Sequence, residues 1–101
     1  RDYSWVTEII KSIILTSKLR ANNYIISAGK KLSGKNILDI AYKLNGLDYK
    51  NYFKVDDKFY RKNENKVLIG SNKNTKYLKK KFNFKFKIFG KELIKSMYKN
   101  L

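Results

Sequence analysis

The chain has no cysteine, no histidine and no proline, and only three of its 24 basic residues are arginine. Without cysteine or histidine, this chain supplies no disulfide, thiolate nucleophile, Cys/His zinc site or His-based triad. An absence of cysteine is compatible with the cytosol. No apolar run approaches the ~20 residues a membrane helix needs, and no signal-peptide pattern is present. What the chain has in excess is lysine, asparagine, isoleucine and aromatic residues, with 15% Phe, Trp and Tyr and a formal charge of +16. That charge suits an anionic partner, and nucleic acid is the obvious one. A simpler explanation competes: an AT-rich genome favours these residues and disfavours proline and arginine. Nucleic-acid contacts usually recruit arginine as well as lysine, because arginine bonds bidentately and stacks.

At 101 residues with 43% apolar content, residues 1–101 form at most one domain, able to bury roughly 60–70% of their unfolded surface. Residue 1 is Arg1 and leads at once into a helical pattern, which reads as a start in mid-chain. Trp5, Val6, Ile9, Ile10, Ile13 and Ile14 recur at helical spacing, so the pattern predicts an amphipathic helix over residues 4–17, capped by Asp2 or Ser4 with Glu8 near its positive end. Residues 24–28 read as a strand ending at Gly29. Ile37, Ile40, Ala41 and Leu44 give a second helix closed by Gly46. Short strands are expected at 53–55 and 67–69, and a helix at 73–81 capped by Ser71 or Asn72. Phe82, Phe84, Phe86 and Ile88 alternate with polar residues as an extended segment, and a last helix at 91–100 presents Leu93, Ile94 and Met97. Short helices interleaved with short strands define the expected class, a small α+β unit.

Three local patterns invite chemistry. Gly29-Lys30-Lys31-Leu32-Ser33-Gly34-Lys35-Asn36 resembles a phosphate-binding loop, but Asn36 stands where a magnesium-binding hydroxyl is needed. The simpler reading makes Ser33 a helix N-cap with Asn36 reaching back to it. Tyr77 and Lys81 reproduce the Tyr-x-x-x-Lys spacing of short-chain dehydrogenases, a pairing that eight tyrosines in a lysine-rich chain produce by chance. The 81–89 segment could be a basic platform with rings for stacking bases, against the simpler reading that its rings fill the core. Arg61 and Glu64, three residues apart after the aromatic pair Phe59-Tyr60, suit a nucleoside diphosphate: the guanidinium fork fits a diphosphate and a carboxylate accepts from vicinal sugar hydroxyls. A surface ion pair is the plain alternative.

Read end to end, the chain resembles the C-terminal portion of the GDP-mannose 4,6-dehydratases, which are extended short-chain dehydrogenase/reductases. Arg1-Asp2-Tyr3-Ser4-Trp5-Val6 is similar to the family's Arg-Asp-Trp segment, and Asn23-Tyr24-Ile25-Ile26-Ser27-Ala28-Gly29 to its Asp-Tyr-Val-Ile-Ala-Thr-Gly. Gly46-Leu47-Asp48-Tyr49 resembles Gly-Leu-Asp-Trp, and Phe59-Tyr60-Arg61-Lys62-Asn63-Glu64 resembles Tyr-Phe-Arg-Pro-x-Glu. Phe82-Asn83-Phe84-Lys85 resembles Leu-Gly-Trp-Lys, and Glu92-Leu93-Ile94 the closing Glu-Leu-Val. Lys62 stands where the family has proline, and Trp5 and Phe84 where it has histidine and tryptophan.

The resemblance implies an α+β C-terminal substrate-binding lobe, with Arg61 on the diphosphate of GDP-mannose or a related nucleotide-sugar and Glu64 on the ribose. It implies a cytoplasmic, homo-oligomeric complete enzyme that uses NADP to oxidise C4, eliminate water across C5–C6 and reduce C6. The cofactor turn and the acid–base residues of that family belong to a preceding Rossmann domain and have no counterpart in these 101 residues. The chain alone is therefore expected to bind no NADP and to be inactive.

Overall fold

The computed structural model describes residues 1–62 and 67–101. Four helices form: α1 (Val6–Thr16), α2 (Gly34–Leu44), α3 (Lys73–Phe82) and α4 (Gly90–Lys99), with 3₁₀ turns at Tyr49–Asn51 and Asp57–Phe59. All four fall where the hydrophobic periodicity puts them, within a few residues at each end. Helix α2 shows why. Ser33 Oγ accepts from the Asn36 N–H at 3.1 Å while Asn36 Oδ1 accepts from the Ser33 N–H at 3.2 Å, a complete capping box. At the other end Leu47 N–H donates to Tyr42 O at 2.9 Å and Gly46 N–H to Lys43 O at 3.0 Å. That is a Schellman stop, which requires the left-handed φ of +70° that Gly46 adopts. The loop before α2 is thus a helix start, as the simpler reading of the glycine-lysine motif has it.

The strand half of the expected α+β class does not form among the described residues. Segments 24–28, 53–55 and 67–69 make no ladder, residue 82 ends α3, and the one pairing is an isolated antiparallel bridge between Asp2 and Lys31. Side chains instead bond backbone groups in segment 24–28, beside it and beside segment 67–69. Asp2 Oδ2 accepts from Gly29 N–H at 2.9 Å and from Gly70 N–H at 3.1 Å. Thr75 Oγ1 donates to Ser27 O at 2.8 Å, and Ser27 Oγ to Ser71 O at 3.0 Å. Glu8, buried, accepts from the N–H groups of Lys87 at 2.9 Å and Ile88 at 3.2 Å with its two carboxylate oxygens. Segment 84–88 keeps the expected alternation, with Phe86 buried, Phe84 and Ile88 half-buried and Lys85 and Lys87 exposed, although it has no strand beside it. The result is a small helix-rich domain.

These straps also explain two local departures. Helix α1 starts at Trp5 with no side-chain cap, because the Asp2 carboxylate is engaged elsewhere. Its inward face is Glu8 and Ser12, so Val6, Ile10, Ile13 and Ile14 are left 50–62% exposed. Helix α4 buries Leu93 and Ile94 as expected but leaves Met97 outside. The core is small: Leu32, Leu78 of α3, Phe86, and Leu93 and Ile94 of α4, in a body where α2 packs on α4 and α1 on α3.

The molecule is a slab of 50 × 35 × 18 Å with a radius of gyration of 16.5 Å, against about 13 Å for a compact domain of this length. Its accessible surface is 8393 Å², whereas a compact protein of 12 kDa would expose about 6,000 Å². Exposed apolar side chains on α1 and along the connection from α2 to α3 contribute to the excess.

Candidate functional site

The connection between α2 and α3 carries the residues singled out for nucleotide binding. Its first part is fastened down. Asp48 Oδ1 accepts from Lys50 N–H at 3.0 Å, setting the first 3₁₀ turn. Tyr52 stacks on Tyr42 of α2 with centroids 5.4 Å apart, and Phe53 meets Tyr49 edge-on at 5.8 Å. A second aspartate turn follows, with Asp56 Oδ1 accepting from Lys58 N–H at 3.0 Å. After it the chain leaves the body of the protein: Phe59 is 81% exposed, Tyr60 is 74% exposed, and Arg61 is exposed beside them.

Glu64 lies outside the described residues, so the Arg61–Glu64 pairing is not part of the described geometry. Beyond it, Gly70 is drawn back to the body by Asp2. A Cβ built on Gly70 would lie 2.4 Å from Ser27 Cβ, so this position needs glycine for close approach. Asp2 thereby joins three separated segments, 1–2, 29 and 70, the last of them at the C-terminal root of the excursion. An exposed arginine flanked by two exposed rings, on a loop with anchored roots, can receive an anion and a planar base if a second surface closes over them.

The clefts around α2 suit anions poorly. One of about 450 Å³ mixes Lys43 and Lys50 with Asp39 and Asp48. Lys43 donates to Asp39 Oδ2 at 2.9 Å, and this hydrogen bond, with the attraction of the Asp39 charge, raises the lysine pKa above its ordinary 10.5. Tyr77, exposed on α3, and Lys81, whose ammonium sits 5.9 Å from the Phe82 centroid, form no enclosed site.

Two features were not legible as sites. Asp2 and Glu8 read as cap and dipole partner, yet both hold remote backbone. The second is a convergence of lysines described further below, whose signal was an acid-free run from residue 65 to residue 91. Compared with known proteins, the chain matches no family model and no solved structure. No helix among the described residues is long and apolar enough to cross a membrane.

Proposed function

We propose that this chain is the substrate-binding lobe of an extended short-chain dehydrogenase/reductase. Within that class, the reading that fits best is the C-terminal lobe of a cytoplasmic GDP-mannose 4,6-dehydratase, which converts GDP-mannose to its 4-keto-6-deoxy product. The observation that carries it is the Phe59-Tyr60-Arg61-Lys62-Asn63-Glu64 run standing among family-like segments in the family's order. In this reading Arg61 holds the diphosphate, Glu64 the ribose hydroxyls, and Phe59 and Tyr60 give the loop apolar surface. The lobe acts by positioning, fixing the nucleotide end so that the hexose reaches a nicotinamide on another domain.

The dinucleotide cofactor does not fit this chain: its five glycines, at 29, 34, 46, 70 and 90, make no Gly-x-x-Gly-x-x-Gly turn. NADP and the acid–base groups therefore belong to a partner Rossmann domain. The exposed isoleucines of α1 and the excess surface support a lobe that packs on such a domain.

The test is Arg61→Ala in the complete enzyme. Loss of a charge-assisted contact of about 1.5–3 kcal/mol weakens GDP-mannose binding by roughly 10- to 150-fold and leaves NADP affinity unchanged. Unaltered KM for every nucleotide-sugar tried would refute the assignment. Product analysis separates a 4,6-dehydratase from a related GDP- or dTDP-sugar epimerase.

A further inference from the structure

A second anion-binding surface lies on α3, independent of the loop that carries Arg61. Lys30, Lys76, Lys79 and Lys85 line a cleft of about 270 Å³ whose walls include Phe84 and Phe89, and no carboxylate lines it. The four lysines come from three segments brought together by the straps described above. Thr75 and Asn74 of α3 hold the carbonyls of Ser27 and Ile25, and Asp2 holds Gly29. Lys30 is thereby set opposite Lys76 and Lys79, with its ammonium 5.4 Å from the Phe89 ring centroid. Asn83, in the left-handed conformation, ends α3 and turns the chain so that Phe84 and Lys85 form the remaining wall.

Genomic bias does not account for this cluster. It explains lysine in place of arginine, but it would act on the whole chain. Residues 65–101 hold eleven lysines against one acid, Glu92, a net charge of +10, while residues 1–64 hold thirteen basic residues against seven acids. Helix α3 alone carries five lysines and no acid. The three in its last turn suit the helix dipole, but Lys73 and Lys76 stand near its positive end, and Lys76 repels Lys79 and Lys80 at the neighbouring spacings. Such a surface is relieved by a bound polyanion.

The geometry points to single-stranded nucleic acid as that polyanion, with the lysines on successive phosphates and a base against Phe84 or Phe89. A duplex offers phosphates but no free base face to a ring-walled cleft, and without arginine the surface lacks the bidentate groups that read base edges. Binding is therefore sequence-tolerant and strongly salt-dependent.

The experiment is fluorescence anisotropy of the 101-residue chain with labelled oligothymidine and with a duplex of equal length, over a range of salt. With about four phosphates engaged, log Kd rises with log salt with a slope near 3, since each single-strand contact contributes about 0.7. The pair Lys76→Ala with Lys79→Ala lowers that slope by about 1.4 and weakens binding roughly 10- to 30-fold at 0.1 M salt. Phe84→Leu, checked for unchanged helicity, weakens single-strand binding by about 5- to 150-fold with the slope intact. Equal weakening by the charge-matched pair Lys18→Ala with Lys35→Ala, both exposed and outside the cleft, would overturn the site in favour of diffuse charge. Equal affinity for the duplex, or no binding at low salt, would overturn it outright.

Discussion

Residues 1–64 and residues 65–101 draw on the same lysine-rich composition but use charge differently. In the first region carboxylates are present and are spent largely on backbone: Asp2 on Gly29 and Gly70, Glu8 on Lys87 and Ile88, Asp48 on Lys50, and Asp56 on Lys58. Asp39 differs in forming an ion pair with a lysine, Lys43. In the second region Glu92 is the lone acid, and it meets Lys95 loosely at 3.7 Å. The lesson is that acids in this fold act as structural acceptors, and the positive charge of α3 and its flanks is left for something outside the domain. In the proposed reading, Arg61 and the α3 cleft are two different uses of charge, one arginine for a diphosphate and a group of lysines for a string of phosphates.

The sharpest way to break this comparison is through Glu8. Glu8→Ala leaves two partly buried N–H groups without their acceptors and removes the link between α1 and segment 84–88, for an expected loss of about 3 kcal/mol in urea unfolding. Glu8→Gln keeps one acceptor and costs about half as much. If Glu8→Ala is as mild as a surface lysine change, carboxylates are not what holds the extended segments. Next in size is Ser33→Ala, which removes the α2 cap for about 1 kcal/mol and should leave oligonucleotide binding untouched.

The smallest effect sharpens the exception, Lys43. Because its folded pKa is raised by Asp39, the pair's contribution is present at neutral pH and is lost as pH rises beyond the ordinary lysine value through the raised one. Asp39→Asn should move the Lys43 titration by NMR back toward the ordinary lysine range and weaken that alkaline dependence, leaving the smaller contributions of Asp48 and Tyr49. A Lys43 titration unmoved by the substitution would mean the pair does not form in solution.

Among the helices α2 was the most legible, because its periodicity and its end signals agree. Ser33 with Asn36, and Gly46 after Leu44, mark α2 as plainly in the sequence as in the structure. The absence of ladders was not legible, because Tyr24-Ile25-Ile26 and Val67-Leu68-Ile69 have strand composition whatever satisfies their backbone. Asp2 and Glu8 instead hold Gly29, Gly70, Lys87 and Ile88 from 27, 68, 79 and 80 residues away, and no local pattern announces a pairing of that kind. The apolar stripe of α1 misled in the opposite direction: its period is helical, but the structure buries Glu8 and Ser12 and turns the isoleucines out. Arg61 stood out in the sequence by its scarcity, while the nearness of Lys30 to Lys76 was invisible until the fold brought residues 28–30 against α3.

The most direct measurement is a titration of GDP into the isotope-labelled chain, followed by NMR at the Arg61 guanidinium and at the Lys76 and Lys79 amides. Two separate uses of charge require that GDP shift Arg61 and the Phe59–Tyr60 amides, with Arg61→Ala abolishing those shifts. Oligothymidine should instead move Lys76 and Lys79. GDP shifts centred on Lys76 and Lys79, with Arg61 still, would contradict the account.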